Sequence, residues 1–96
     1  MASNSKRPFI EGTFDATSNE LDWPEIDERN PYMRLTLGFG TGTVQLLESY
    51  DDGTTWNVVE SYTGDVSKLI TKGSPHYVYT VKCTVHSVDI TYHLSN

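Results

Sequence analysis

The sequence predicts an all-β protein: a single-domain antiparallel β-sandwich of about seven strands, jelly-roll or immunoglobulin-like, with a small barrel as runner-up. Three observations predict it. Apolar residues recur at every second position in several runs, the period of a strand with one buried face. Clusters of Gly, Asp, Ser and Pro interrupt those runs about every ten residues, as in a sandwich. Residues 49–56 read Ser-Tyr-Asp-Asp-Gly-Thr-Thr-Trp, a tight turn between two strands.

Residues 1–8 are small, polar and basic, with little to bury, and read as a flexible N-terminal arm. Residues 9–96 read as the sandwich domain. Phe9–Phe14 is a short strand. Residues 15–31 form a long acidic loop, in which Asp15, Glu20, Asp22, Glu25, Asp27 and Glu28 are opposed only by Arg29. Pro24 and Pro31 stop any helix longer than a turn or two. Leu21, Trp23 and Ile26 give the loop apolar anchors for a sandwich edge or a neighbour.

From residue 32 the pattern is β. Met33, Leu35, Leu37 and Phe39 alternate with Arg34 and Thr36, a half-buried strand. Gly38, Gly40 and Gly42 signal a bend or bulge. Strands follow over about 43–49 and 55–62, and Thr63-Gly64-Asp65 is a turn. A short strand over 66–70 has Val66, Lys68 and Ile70 on one face and Leu69 on the other, and 71–75 is a loop. Tyr77, Tyr79, Val81 and Cys83 share a face opposite Val78, Thr80, Lys82 and Thr84. Val88, Ile90, Tyr92 and Leu94 alternate with Asp89, Thr91 and His93, and the link Val85-His86-Ser87 predicts a hairpin between these last two strands.

A chain of 96 residues fits one domain. A domain this small buries a modest share of its surface, so oligomerisation would add stability. The single cysteine, Cys83, allows no intrachain disulfide, which suits a reducing compartment. It lies in an apolar strand pattern without the cationic setting of a nucleophile, and reads as a small buried hydrophobe. The net charge is −6, from 7 basic and 13 acidic residues. Lys68, Lys72 and Lys82 are scattered singly, which argues against nucleic-acid binding, where cations must neutralise phosphates. No apolar run follows Lys6 and Arg7, so no signal peptide is expected. No stretch has the length of a transmembrane helix, and no membrane partner is expected.

The pattern Ser-x-Asp-x-Gly-x-Thr-Trp is that of an Asp-box. Ser49, Asp51, Gly53, Thr55 and Trp56 are its structural residues. The Asp51 side chain is expected to bond backbone N–H groups of its own turn. Gly53 is expected at positive φ. Trp56 is expected to anchor the unit in the core, where loss of its ring would cost roughly 3–5 kcal/mol. One box in so short a chain cannot build a propeller of several blades.

The box has a Gly38-Phe39-Gly40-Thr41-Gly42-Thr43-Val44 lead-in, and Tyr62-Thr63 and Tyr77-x-Tyr79 follow it. With these flanks, residues of about 32–94 resemble small β-sandwich structural proteins of tailed-bacteriophage virions. Val78 and Tyr79 stand where such chains usually carry an aromatic–Arg pair. The resemblance implies a non-enzymatic virion protein made in the host cytoplasm. It would first be a head decoration or cement protein binding major capsid subunits, and next a head–tail connector or fibre-base subunit contacting neck or tail proteins. Either would work as homo-oligomeric or lattice-bound copies, without a cofactor.

Partner-binding candidates are Lys6 and Arg7 in the arm and Trp23 and Ile26 in the acidic loop. Trp23 either staples the loop to its own domain or anchors a subunit contact. No catalytic set is legible. Asp51–Asp52 and Asp27–Glu28 are sequence neighbours whose side chains point apart, unlike the opposed carboxyls of a glycosidase. His76, His86 and His93 match no zinc spacing, and the acidic stretch has no EF-hand spacing, so no metal is expected. The alternating Gly38, Gly40 and Gly42 lack a helix start and a Gly-Lys-Ser ending, so they do not form a phosphate loop. Tyr32, Tyr50, Tyr62, Trp23, Tyr77 and Tyr79 raise the alternative of a carbohydrate-binding module with an aromatic platform.

Overall fold

The computed structural model describes residues 9–19, 23–24, 29–74 and 76–95. The alternating runs become strands: β1 (Phe9–Phe14), β2 (Ser18–Asn19), β3 (Tyr32–Gly38), β4 (Thr41–Ser49), β5 (Asn57–Tyr62), β6 (Val66–Thr71), β7 (Val78–Val88) and β8 (Ile90–Ser95). The two-residue β2 lies inside the segment read as a loop, and pairs Ser18 with Cys83 and Asn19 with Lys82. No helix forms among the described residues. The arm 1–8 and most of the acidic loop, with Lys6, Arg7 and Ile26, lie outside the described residues.

The strands form two four-stranded antiparallel sheets, in the orders β1-β8-β3-β6 and β2-β7-β4-β5. Consecutive strands alternate between the sheets except at β4–β5, the Asp-box hairpin. This order of eight strands is that of a jelly roll. It separates the two expected sandwich types in favour of the first, and the two distinct sheets replace the barrel alternative.

The core is the space between the sheets. One sheet contributes Ile10, Phe14, Met33, Leu35, Leu37, Ile70, Ile90 and Leu94. The other contributes Val44, Leu46, Tyr62, Tyr79, Val81 and Cys83. Leu35, Val44, Leu46, Val81, Ile90 and Leu94 are fully buried. Each such side chain stabilises the fold by about 1.5–3 kcal/mol relative to exposure. The period of two in β3, with Met33, Leu35 and Leu37 buried and Arg34 and Thr36 exposed, is the sequence pattern turned into a layer.

The last two strands correct the sequence reading. They are not a hairpin. β7 continues through Val85, His86 and Ser87 to Val88, and after Asp89 the chain enters the opposite sheet as β8. A strand pairing with its neighbour and a strand crossing to the other layer both turn apolar residues inward, so alternation alone does not separate them. The crossing is fixed by long-range pairing: β7 runs beside β4, while β8 inserts between β1 and β3.

The glycine-rich lead-in acts at this crossing. Gly40 N–H donates to the Asp89 carbonyl at 3.1 Å. The β4–β7 register shifts between Thr41 and Gly42 and again between Thr43 and Val44, the bulge that the glycines signalled. Gly42 has φ of 151°, and a Cβ there would lie 2.1 Å from the Val85 carbonyl oxygen. Gly42→Ala is therefore expected to destabilise the protein by more than about 1 kcal/mol, read as a lower urea midpoint with an unchanged slope.

Candidate functional site

The Asp-box closes on itself. Ser49, at the end of β4, is 0% exposed. Its Oγ donates to Asp51 Oδ1 at 2.7 Å and accepts the amides of Gly53 at 2.9 Å and Asp51 at 3.3 Å. Asp51 Oδ1 also accepts the Thr55 amide at 2.7 Å. Asp52 and Gly53 follow with φ of 60° and 90°. Asp tolerates the left-handed region better than most residues, and Gly adopts it without steric cost. The Thr55 amide, with the Ser49 hydroxyl, holds the Asp51 carboxyl below the usual range. This is an ionised carboxylate bound by its own turn, not an acid poised to exchange protons.

Trp56 corrects the second sequence expectation. It is half-buried and stands outside the intersheet core. It precedes β5, an edge strand in which only Tyr62 is buried, and the β4–β5 register shift between Leu46 and Leu47 places position 56 on the side of Leu47 and Ser49 rather than that of Val44 and Leu46. Its partner is Trp23, edge-to-face at a centroid distance of 5.8 Å and an interplanar angle of 63°. Trp23 also lies against the turn: a Cβ on Gly53 would approach its Cη2 to 2.7 Å. Gly53 thus answers a positive φ and a close aromatic approach at once. Trp23, read as either a staple or a subunit anchor, contacts its own Asp-box turn and is half-buried there.

A second buried patch lies behind this corner. Leu47 and Ser49 on β4 pair with Thr80 and Val78 on β7. All four are buried, yet Leu47 and Val78 lie outside the main core. The outer face of this sheet is therefore covered at its Asp-box end, where Pro24 is also buried. The sequence reading assigned Val78 and Thr80 to the face opposite the core, and gave no sign that this face is buried as well. The signal available was Trp23, a large ring outside any strand, in a chain with only one other tryptophan.

The proposed aromatic platform is not one surface. Tyr79 is 1% exposed and belongs to the core; its hydroxyl donates to Glu48 Oε2 at 3.0 Å and accepts the Gly73 amide at 2.8 Å. Burial pushes its pKa up to about 12. Tyr62 is also in the core, with its hydroxyl on Glu60 Oε1 at 2.6 Å, and burial with that carboxylate raises its pKa further. Lys68 completes the group at 2.9 Å from Glu60. Tyr50, beside the box, is 62% exposed, and Tyr32 is 43% exposed on the other sheet.

The titratable groups elsewhere are dispersed. His86 Nε2 lies 3.0 Å from Asp89 Oδ1 at the β7–β8 crossing. His93 stacks on Phe9 at 5.1 Å and lies 4.0 Å from Glu11. Cys83 is buried, its thiol donating to the Val85 carbonyl at 3.3 Å, and burial pushes its pKa up. Among the described residues, no three His, Cys, Asp or Glu side chains converge as metal ligands. Comparison with protein-family models, with curated proteins and with solved structures finds no match.

Two outcomes are expected. Trp56→Ala loses an edge-to-face pair worth about 0.5–1.5 kcal/mol and a half-buried surface, so equilibrium unfolding should show less than the roughly 3–5 kcal/mol of a core aromatic truncation. The acid response of the turn follows from the depressed Asp51 pKa. Its stabilising contribution is complete above the ordinary value of 3.8 and is lost as pH falls through the lower folded value. Tryptophan fluorescence should report this step, because both tryptophans sit at the turn, and Asp51→Asn should abolish it.

Proposed function

We propose that this protein is a non-enzymatic structural component of a tailed-phage virion, in the first place a head decoration or cement protein that binds major capsid subunits. A head–tail connector or fibre-base subunit is the alternative position. The observation that carries the reading is the single Asp-box, with its Gly38–Val44 lead-in, set as the one hairpin among the described strands of a jelly roll. Jelly rolls serve in viral coats and in lectins. That support is analogy at the level of fold, and it gains weight only beside the motif.

The chemistry of the box agrees with a structural role. Ser49 and Asp51 bond to each other and to the amides of their own turn, which makes a rigid corner. Copies of a small rigid domain on a symmetric lattice bind through many weak contacts rather than one strong site. Lys6, Arg7 and Ile26 remain contact candidates, and Trp23 offers its half-exposed ring at the Asp-box corner. Tyr50, 62% exposed beside the box, favours carbohydrate binding as a second reading.

Quantitative mass spectrometry of purified phage particles tests the proposal. A copy number comparable to that of the major capsid protein is the expected result. A low symmetric number would move the protein to the neck, tail or fibre base. Absence from particles would overturn the virion reading, and glycan binding lost in Tyr50→Ala with the fold intact would replace it.

A further inference from the structure

The outer face of the β1-β8-β3-β6 sheet has a composition unlike the rest of this acidic protein. Among the described exposed carboxylates, Asp15, Asp52, Asp65 and Asp89 lie in turns and connections, and Glu60 lies on β5 of the other sheet. On the face itself, small hydroxyl residues predominate, and Glu11 on β1 is its one carboxylate. Arg34 on β3 is exposed and makes no ion pair among the described residues. Tyr32 and Leu69 on the same face are 43% and 54% exposed. Arginine and tyrosine exposed together on a surface otherwise poor in charge are the composition of an interface centre rather than of a solvated sheet.

The positions of the two charges are self-complementary. Strand β8 lies between β1 and β3, with His93 paired to Glu11 on one side and to Thr36 on the other. The next row across the sheet is Phe9, Ser95 and Arg34. A two-fold axis running along β8, in the plane between two such faces, exchanges the β1 and β3 sides. It sets Arg34 of one copy over Phe9 of the other. Glu11 is then one cross-strand row away, roughly 7 Å along the strand, a step the long guanidinium side chain spans. The same contact forms twice, as an isologous interface requires. Within each copy His93 stacks on Phe9 at 5.1 Å and lies 4.0 Å from Glu11 Oε1, so the partner's guanidinium meets the ring beside that stack and the carboxylate through its other oxygen.

We infer that this face is a homodimer interface in which Arg34 of each copy engages Glu11 and Phe9 of the other. The overlap of the three strands β1, β8 and β3 is on the order of 300 Å² per copy in projection, from strand spacing and rise. Twice that, roughly 600 Å² in total, is below the roughly 1,000 Å² of a stable interface, so the dimer is weak, transient and concentration-dependent. Sheet faces of this kind pack about 10 Å apart with their strands within about 30° of each other. The inference concerns the chain's own association and holds wherever the protein works.

Sedimentation equilibrium on the full chain over a concentration series tests it. The wild type should show a monomer–dimer equilibrium. Arg34→Glu and Glu11→Arg, each placing like charges opposite at two symmetric contacts, should each weaken dimerisation by more than about tenfold. The combined charge swap should restore it. Both side chains are on the surface, and circular dichroism of each variant should match the parent. Asp52→Lys, at the Asp-box corner, should leave the dimer unchanged. A wild type that stays monomeric throughout, or a dimer indifferent to both single reversals, or a swap that fails to rescue, would overturn the inference.

Discussion

The structure rests on the burial of one face of each sheet against the other. Neither sheet is stable with its apolar face in water, and neither has a helix to cover it among the described residues. Strands adjacent in sequence are therefore divided between the layers, and the chain crosses the sandwich at nearly every connection. The β1–β2, β3–β4, β5–β6 and β7–β8 crossings each tie the layers together through a link of no more than three residues. The Gly40 amide on the Asp89 carbonyl and the Phe39 amide on Asp65 Oδ1, at 2.8 Å, close two of them. A jelly roll of this size is held mainly by contacts between residues far apart in sequence, and the loop-closure entropy of those contacts is recovered only when both sheets are in place.

Against that background the Asp-box is the locally determined part of the molecule. It joins neighbours within one sheet, and its hydrogen bonds span no more than four residues. The buried hydroxyl of Ser49 organises it, because two amides and one carboxylate converge on a single oxygen. The tertiary structure adds the Trp23–Trp56 contact, which attaches the chain before β3 to the turn after β4. The corner is thus both a turn and a fastening between distant segments. Ser49 and Asp51 bond to each other and to the amides of the turn, and the corner exposes Tyr50, Asp52, Thr54 and Thr55.

The two sheets have different outer surfaces for the same reason. The β2-β7-β4-β5 sheet is covered at one end, where Leu47, Ser49, Val78 and Thr80 are buried. The β1-β8-β3-β6 sheet has an open and nearly uncharged outer face. Of the described carboxylates, Asp15, Asp51, Asp52, Asp65 and Asp89 lie in turns and connections, Glu48 and Glu60 lie on the other sheet, and only Glu11 shares the face of Arg34, Tyr32 and Leu69. On the proposed virion reading, weak contacts through such a face would add up with copy number.

The amino-acid sequence by itself determined the all-β class, nearly every strand, the inward sets of β3 and β7, and the Asp-box turn. Those features are local: period two and turn chemistry act over a few residues and are written in residue type. Tertiary structure alone decided the layer to which each strand belongs. The 77–94 stretch reads as a hairpin because alternation is identical whether a chain turns back or crosses over. It also decided the place of Trp56, whose motif fixes a turn but not what lies behind it; the β4–β5 register shift turned it away from the core, and Trp23 became its partner. The Ser18–Asn19 pairing was illegible because two residues carry no period, and only the exposed edge of β7 gives them a partner. The juxtaposition of Arg34 and Glu11 on one face arose in the same way, since β8, from the far end of the chain, is the strand inserted between them.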